Sequence, residues 1–121
     1  MGVSYSVSTE DELREARDEV LALLRSKNTA FLADVQNSAL AETHGEIAKA
    51  FLKWLSATQF SLEIVALTDY APGMFEGRWT HNGAAFVGFK QPPAASNPND
   101  AALLASAALL RNDWCRSRFP A

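Results

Sequence analysis

The stretch MFEGRWTHNGAAFVGFK, at residues 74–90, decides the fold class of this chain. Asn82-Gly83 lies near its centre, and this pair favours a two-residue type I′ turn because both turn positions need positive φ. Residues 74–81 and 84–90 are predicted to form the two strands that the turn joins. A two-residue loop would pair Trp79 with Phe86. The stretch therefore predicts an antiparallel hairpin.

A third strand is predicted immediately before this hairpin. Apolar side chains alternate with Ser61, Glu63 and Val65, a period of two that is typical of a half-buried strand; they are Phe60, Leu62, Ile64 and Ala66. Pro72-Gly73 then has the form of a type II turn. The three strands predict an antiparallel β-meander. A glycine at position 77 opposite one at position 88 would relieve twist or let another backbone approach closely.

Three helices are predicted before the meander. Thr9 and Glu12 form a capping box in front of the first, over residues 9–27. A second apolar set at helical spacing, within residues 31–40, predicts a shorter helix. Thr43 and Glu46 repeat the capping-box pattern and are expected to open the third helix.

The last helix is predicted to be buried. Residues 91–99 are rich in Pro and Asn, so they form a crossing loop, and Asn99 or Asp100 is expected to cap the helix that follows. This helix is apolar on nearly every side up to Arg111, which is typical of a central core helix or of a subunit interface. The expected architecture is a single α+β domain over residues 1–121, with an N-terminal tail at 1–8 and the C-terminal helix packed on the sheet.

Composition restricts the class of function. The chain has 121 residues and a net charge of −3, and its 11 basic residues are mostly scattered, so nucleic acid is not an expected partner. One cysteine excludes an internal disulfide and a multi-cysteine zinc site. Neither a signal peptide nor a membrane-spanning segment is recognisable, and the cytoplasm is the expected compartment. No motif indicates a cofactor or a metal ion.

The aromatic residues of the meander are the leading candidates for function. One core covers one face of the sheet, and we expect the other face to expose large apolar groups beside charged ones, a mixture that favours protein–protein contact. The predicted protein-binding residues are Phe75, Arg78, Trp79, Phe86 and Phe89. The chain is thus predicted to be a small non-catalytic binding protein, such as an accessory, immunity or inhibitor protein of a bacterial or phage system. Homodimerisation through the C-terminal helix or the sheet edge is also compatible with the pattern.

Two other functions stay open. A small enzyme or ligand-binding domain would use a cleft formed by Asp69, Tyr70, Arg78 and His81. A DNA-binding regulator would use residues 37–55, which loosely match a helix-turn-helix. His44 is expected at the surface, and Cys115 is expected to be a buried structural thiol rather than a nucleophile.

Overall fold

The computed structural model describes residues 8–27, 41–69, 71–86 and 92–120. Its elements, in chain order, are α1 (Glu10–Ser26), α2 (Ala41–Trp54), a 3-10 turn (Leu55–Ala57), β1 (Phe60–Ala66), β2 (Phe75–His81), β3 (Ala84–Ala85), α3 (Pro98–Leu110) and α4 (Asp113–Arg116). The α+β class and the three-stranded antiparallel sheet are confirmed. Within the described ranges two helices, not three, precede the sheet, because the predicted helix at residues 31–40 lies outside them.

The first capping box is confirmed and the second is wrong. Glu12 N donates to Thr9 Oγ1 and Thr9 N donates to Glu12 Oε1, both at 3.1 Å, so each residue satisfies a donor that the start of α1 leaves free. Helix α2 already begins at Ala41, which places Thr43 inside its first turn. The capping pattern therefore located the start of α1 correctly and placed the start of α2 three residues too late.

The hairpin forms in the predicted register. Strands β1 and β2 pair without interruption from Phe60↔His81 to Ala66↔Phe75. Asn82 and Gly83 have φ of 54° and 79°, the positive values that a type I′ turn requires. Phe86 N donates to Trp79 O at 2.9 Å, so this expected cross-strand pair is present. Strand β3 covers Ala84–Ala85, and residues 87–90 of the predicted strand lie outside the described ranges.

The crossing segment is more ordered than its composition predicts. Ala95 exchanges two backbone hydrogen bonds with Phe75, of 2.7 and 2.9 Å, which adds a bridge beside β2. Helix α3 is capped by Asn97, whose Oδ1 accepts from Asp100 N at 2.9 Å, and not by the predicted Asn99 or Asp100. Pro98 explains the difference, because proline fits the first turn of a helix, where its missing N–H costs nothing.

Helix α3 is the centre of the molecule. Its buried residues point in every direction around the helix and are Asp100, Ala101, Leu103, Leu104, Ala105, Ser106, Ala107 and Leu109. It contacts β1 and β2 of the sheet as well as α1 and α2, so the helix packs on the sheet as predicted. Arg111, which ends it, forms a bidentate ion pair with Glu19 of α1, with N–O distances of 2.7 and 2.8 Å.

Gly77 sets the distance between β2 and α3. A Cβ at this position would lie 2.4 Å from Ala105 Cβ and 3.3 Å from the carbonyl oxygen of Ala101. Two residues further along the same face of β2, Trp79 Nε1 donates to Ala105 O at 2.8 Å. The glycine is therefore the site of close backbone approach that its position in a strand indicates.

We expect Gly77→Ala to lower the free energy of unfolding by about 1–3 kcal/mol, because the added methyl group overpacks the interface between strand and helix. In the double variant Gly77→Ala/Ala105→Gly the colliding methyl of Ala105 is gone. Urea unfolding should show the double variant to be more stable than Gly77→Ala alone, although Ala105→Gly by itself costs about 1 kcal/mol in helix propensity. A strictly additive loss in the double variant would contradict this packing.

Candidate functional site

The predicted protein-binding residues do not share one exposed surface. Trp79 is only 2% exposed and lies in the core under α3, so its side chain is not available at the surface. Phe75 and Phe86 are half-buried against the same core. Arg78 lies on the opposite face of β2, where its Nη2 is 2.6 Å from Oε1 of the buried Glu76. Phe89 lies outside the described residues.

The structure does not bring together the described residues of the predicted ligand cleft. Asp69 is exposed in the connection between β1 and β2, beyond the Ala66↔Phe75 pair, whereas His81 lies at the opposite end of the hairpin. The six residue steps along β2 from Phe75 to His81 correspond to about 20 Å. Arg78 also projects from the other face of the strand than His81, because side chains alternate along it. Tyr70 lies outside the described residues.

The described part of the predicted DNA-binding segment offers no basic surface. Glu42 and Glu46 accompany Lys49 and Lys53 among the exposed residues of α2, so the charges cancel. Lys49 Nζ lies 3.7 Å from Glu46 Oε1. A helix that enters the major groove needs cations directed at phosphates and donors directed at base edges. Residues 37–40 lie outside the described ranges, and the DNA-binding hypothesis stays a prediction.

A cluster of aromatic rings instead surrounds the short helix α4. Asn112 ends the preceding turn and caps α4, with its Oδ1 accepting from Cys115 N at 3.0 Å. This cap turns Cys115 into the core and Trp114 outward. Among the described residues Trp114 is the exposed large hydrophobic side chain, with 42% of its surface accessible. The break between α3 and α4 is therefore what brings an indole to the surface.

Three side chains contact the Trp114 ring. Phe86 stacks on it, with ring centroids 5.2 Å apart and planes 21° from parallel. The guanidinium carbon of Arg118 lies 3.4 Å from its centroid, a cation–π contact. His81 meets it edge-on at 5.1 Å. We call these four residues, His81, Phe86, Trp114 and Arg118, the Trp114 patch.

The patch is attached to the core through further aromatic rings. Phe60 of β1 lies 4.6 Å from His81 and 6.3 Å from Trp114, measured between ring centroids. Phe119, five residues after Trp114, packs edge-on against Trp54 of α2 at 5.3 Å. The segment that carries the patch is thus held at Cys115 and again at Phe119, so Trp114 sits on a fixed support.

The side chain of Arg118 is oriented by hydrogen bonds to nearby residues of the same segment. Its Nη1 donates to Trp114 O at 2.8 Å and to Ser117 Oγ at 2.9 Å, which holds the guanidinium over the indole. The other two arginines near this end have carboxylate partners, since Arg111 pairs with Glu19 and Arg116 with Asp113. In the described part of the chain no carboxylate pairs with Arg118.

Trp114 is not among the residues that the sequence predicts for function. Asn112-Asp113 was the signal that a new helix begins, since Asn is a preferred N-cap and Asp favours a first turn. Of the patch residues, Phe86 and His81 were candidates for a protein-binding surface and for a ligand cleft, respectively. The structure places the two together beside an indole that neither prediction included.

His44 is buried, and the prediction of a surface histidine is wrong. It is 4% exposed, and its Nδ1 donates to Asp100 Oδ1 at 2.7 Å. Asn97 Nδ2 donates to the other oxygen of the same carboxylate at 2.8 Å. Asp100 therefore joins the first turn of α2 to the first turn of α3. The position of His44 on its helix gave no signal of a partner 56 residues away.

Cys115 is a buried thiol, as predicted. Its side chain is inaccessible to solvent, and desolvation raises its pKa from 9.0 to about 11, although the charge of Arg118 acts in the opposite direction. A thiol with this pKa is protonated at neutral pH, and the thiolate is the nucleophilic form. The geometry therefore gives Cys115 a packing role.

Comparison with known proteins adds no relative: no protein-family model, curated protein or solved structure matches the chain. None of the helices in the described ranges is long and apolar enough to cross a membrane. The same ranges contain no group of three His, Cys, Asp or Glu side chains that could hold a metal ion.

We expect Asp100→Ala to destabilise the fold by about 1–3 kcal/mol, because it leaves the buried imidazole N–H of His44 without an acceptor. Asp11→Ala is the matched control, since Asp11 is also an acidic residue in the first turn of a helix but is exposed. It should change the free energy of urea unfolding by no more than about 0.5 kcal/mol. Equal losses in the two variants would mean that the pair between α2 and α3 contributes nothing specific.

The raised pKa of Cys115 predicts a pH dependence of stability. Between pH 9 and 11 the unfolded chain loses the thiol proton while the folded chain keeps it, so the free energy of unfolding falls as pH rises. The interval from 9.0 to about 11 corresponds to at most about 3 kcal/mol. Chemical unfolding from pH 8 to 11 should show this component in the wild type and not in Cys115→Ala. Parallel pH profiles would refute it.

Proposed function

We propose that this protein works by binding another protein through the Trp114 patch. The observation that carries the proposal is an indole with 42% of its surface exposed and a guanidinium 3.4 Å above its ring. Trp and Arg are the residues most enriched among those that dominate binding energy at protein interfaces. Single exposed hydrophobic residues are common on protein surfaces, and the contacts around Trp114 distinguish it from them.

The arrangement is preorganised. Phe86 and Arg118 already contact the indole, and Cys115 and Phe119 anchor the segment that follows it. Ordering a side chain on binding costs about 0.5–1.5 kcal/mol when the chain is free to rotate. Here the side chain of Trp114 is already ordered in the folded protein, so binding would add little of this cost. A partner would therefore meet a fixed edge of the ring.

The charges of the patch indicate the chemistry of the partner. Arg118 has no carboxylate partner among the described residues, whereas Arg78, Arg111 and Arg116 each pair with an acidic side chain. A carboxylate on the partner would accept a charge-assisted hydrogen bond from the guanidinium of Arg118. An apolar side chain next to that carboxylate would cover the exposed edge of Trp114. We infer a partner that presents an acidic residue beside an apolar one.

The biological setting of this interaction belongs to the same proposal. A small, mildly acidic chain with one buried cysteine suits an accessory, immunity or inhibitor protein of a bacterial or phage system, working in the cytoplasm. Its binding activity would then act on a larger protein of that system. The patch is small, so the partner is expected to contact surrounding residues as well.

The test is affinity capture from a lysate of the source organism, with tagged wild type beside Trp114→Ala and Arg118→Glu. One stoichiometric partner should be captured by the wild type and lost in both variants, because one removes the apolar contact and the other opposes the partner's carboxylate with a like charge. Capture should also weaken at high salt, since Arg118 is exposed.

Arg14→Glu is the matched control, because Arg14 is an exposed arginine near the start of α1 and lies outside the patch. This variant should capture the partner as the wild type does. Circular dichroism and urea unfolding would establish that all variants are folded. Capture that survives both Trp114→Ala and Arg118→Glu would rule out the patch as the contact, and so would the absence of any stoichiometric partner.

A further inference from the structure

Among the described strands β1 lies at an edge of the sheet, because the strand order is β1-β2-β3. Asn82 N donates to Gln59 O at 3.1 Å and Leu67 N donates to Met74 O at 2.9 Å, so odd-numbered residues of this segment bond to β2. Hydrogen-bonding and non-bonding residues alternate in an antiparallel pair. Leu62, Ile64 and Ala66 therefore direct their N–H and C=O groups away from β2.

These outward groups are unpaired in the described part of the chain. The N–H of Phe60, one pair earlier, is taken by Thr58 Oγ1 at 3.3 Å. No corresponding bond reaches Leu62, Ile64 or Ala66. Within the described residues, the N–H of Phe60 is thus satisfied and the next three outward-directed residues have free donors and acceptors.

Nothing in β1 protects this edge against another strand. Natural edge strands are usually blunted by proline, lysine or a bulge. The sequence FSLEIVA contains no proline and no basic residue, and its seven pairs with β2 run without a bulge. Its charged residue, Glu63, is one of those that bond inward to β2. Leu62 and Ile64, on the face toward the core, remain partly exposed.

We propose that a second copy of this chain pairs with β1 in antiparallel orientation, about a twofold axis at Ile64. In this register Ile64 lies opposite Ile64 of the partner subunit, and Leu62 lies opposite Ala66 of the partner subunit. All three free residues of each copy then exchange N–H and C=O bonds, about six bonds in total. The two sheets become one continuous sheet with β1 at its centre.

The positions of the free N–H groups and of Glu63 on β1 determine the register in which two copies pair. A twofold axis places the same strand on both sides of the interface, running in opposite directions, so each residue must suit the residue that it faces in the other copy. An axis at Leu62 would need the N–H of Phe60, which Thr58 occupies. An axis at Glu63 would place like charges opposite each other, which is unfavourable. With the axis at Ile64, Glu63 faces Val65 of the partner subunit, and each free group is used once.

The first measurement is the oligomeric state of the full chain by sedimentation equilibrium over a wide concentration range. The wild type should be dimeric at high concentration and dissociate on dilution. Ile64→Pro should be monomeric, because proline removes an outward N–H without removing a bond to β2, and proline is tolerated at sheet edges. Ile64→Val keeps the N–H and should dimerise as the wild type does.

A disulfide tests the register without depending on a proline variant. Opposed residues of a hydrogen-bonded antiparallel pair have Cα atoms about 5.5 Å apart, a separation that a disulfide spans. Ile64→Cys should therefore cross-link two copies rapidly under mild oxidation. Leu62→Cys should not, since the two copies of that residue would be about 13 Å apart along the strands. Cys115 is buried and does not compete.

A wild type that stays monomeric at every concentration would overturn the proposal. So would a dimer that persists in folded Ile64→Pro, or a cross-link that forms through Leu62→Cys and not through Ile64→Cys.

Discussion

At Gly77 the backbone of β2 approaches α3 so closely that a methyl group there would lie 2.4 Å from Ala105 Cβ. This contact determines how the sheet sits on the central helix, and it lets Trp79, on the same face of the strand, reach Ala105 O. The other sides of α3 are covered by α1 and α2. The packing of β2 on α3, and with it the hydrogen bond of Trp79, therefore depends on a residue without a side chain.

The same contact explains which aromatic residues remain for function. Trp79 is used by the core, so the sheet cannot present it to a partner. After α3 the chain reverses at Asn112, buries Cys115, and returns to the aromatic core at Phe119. Trp114 directly precedes Cys115, and its side chain is exposed where that of Cys115 is buried. Its exposure is thus a consequence of how the C-terminal segment is held, and the support that exposes it also keeps it rigid.

Local chemistry was sufficient to predict a large part of the fold. Asn82-Gly83 predicted the hairpin and its register, because only a few residues accept positive φ at two consecutive positions. The all-round apolar pattern of α3 predicted its burial. What local chemistry could not decide is which face of a strand meets the core when both faces carry large residues. Trp79 and Arg78 are neighbours in sequence, and Trp79 is the buried one because α3 packs on its face of the strand.

The candidate site was harder to predict because its members come from distant parts of the chain. His81 and Phe86 flank the hairpin turn, while Trp114 and Arg118 belong to a segment about thirty residues later. Their contact depends on the length of α3 and on the turn at Asn112, which sequence spacing does not encode. The His44–Asp100 pair has the same origin, since two helix starts meet only after α2 packs on α3.

The two proposed surfaces are geometrically compatible. The Trp114 patch lies beside Phe60, four residues or about 13 Å along β1 from the proposed axis at Ile64. An antiparallel dimer would therefore place the two patches toward opposite ends of the shared strands, about 26 Å apart. A partner with two acidic sites at that spacing would gain from effective concentration, whereas a partner with one site would bind each patch alone. Dimerisation would thus change the avidity of binding while leaving the chemistry of each contact unchanged.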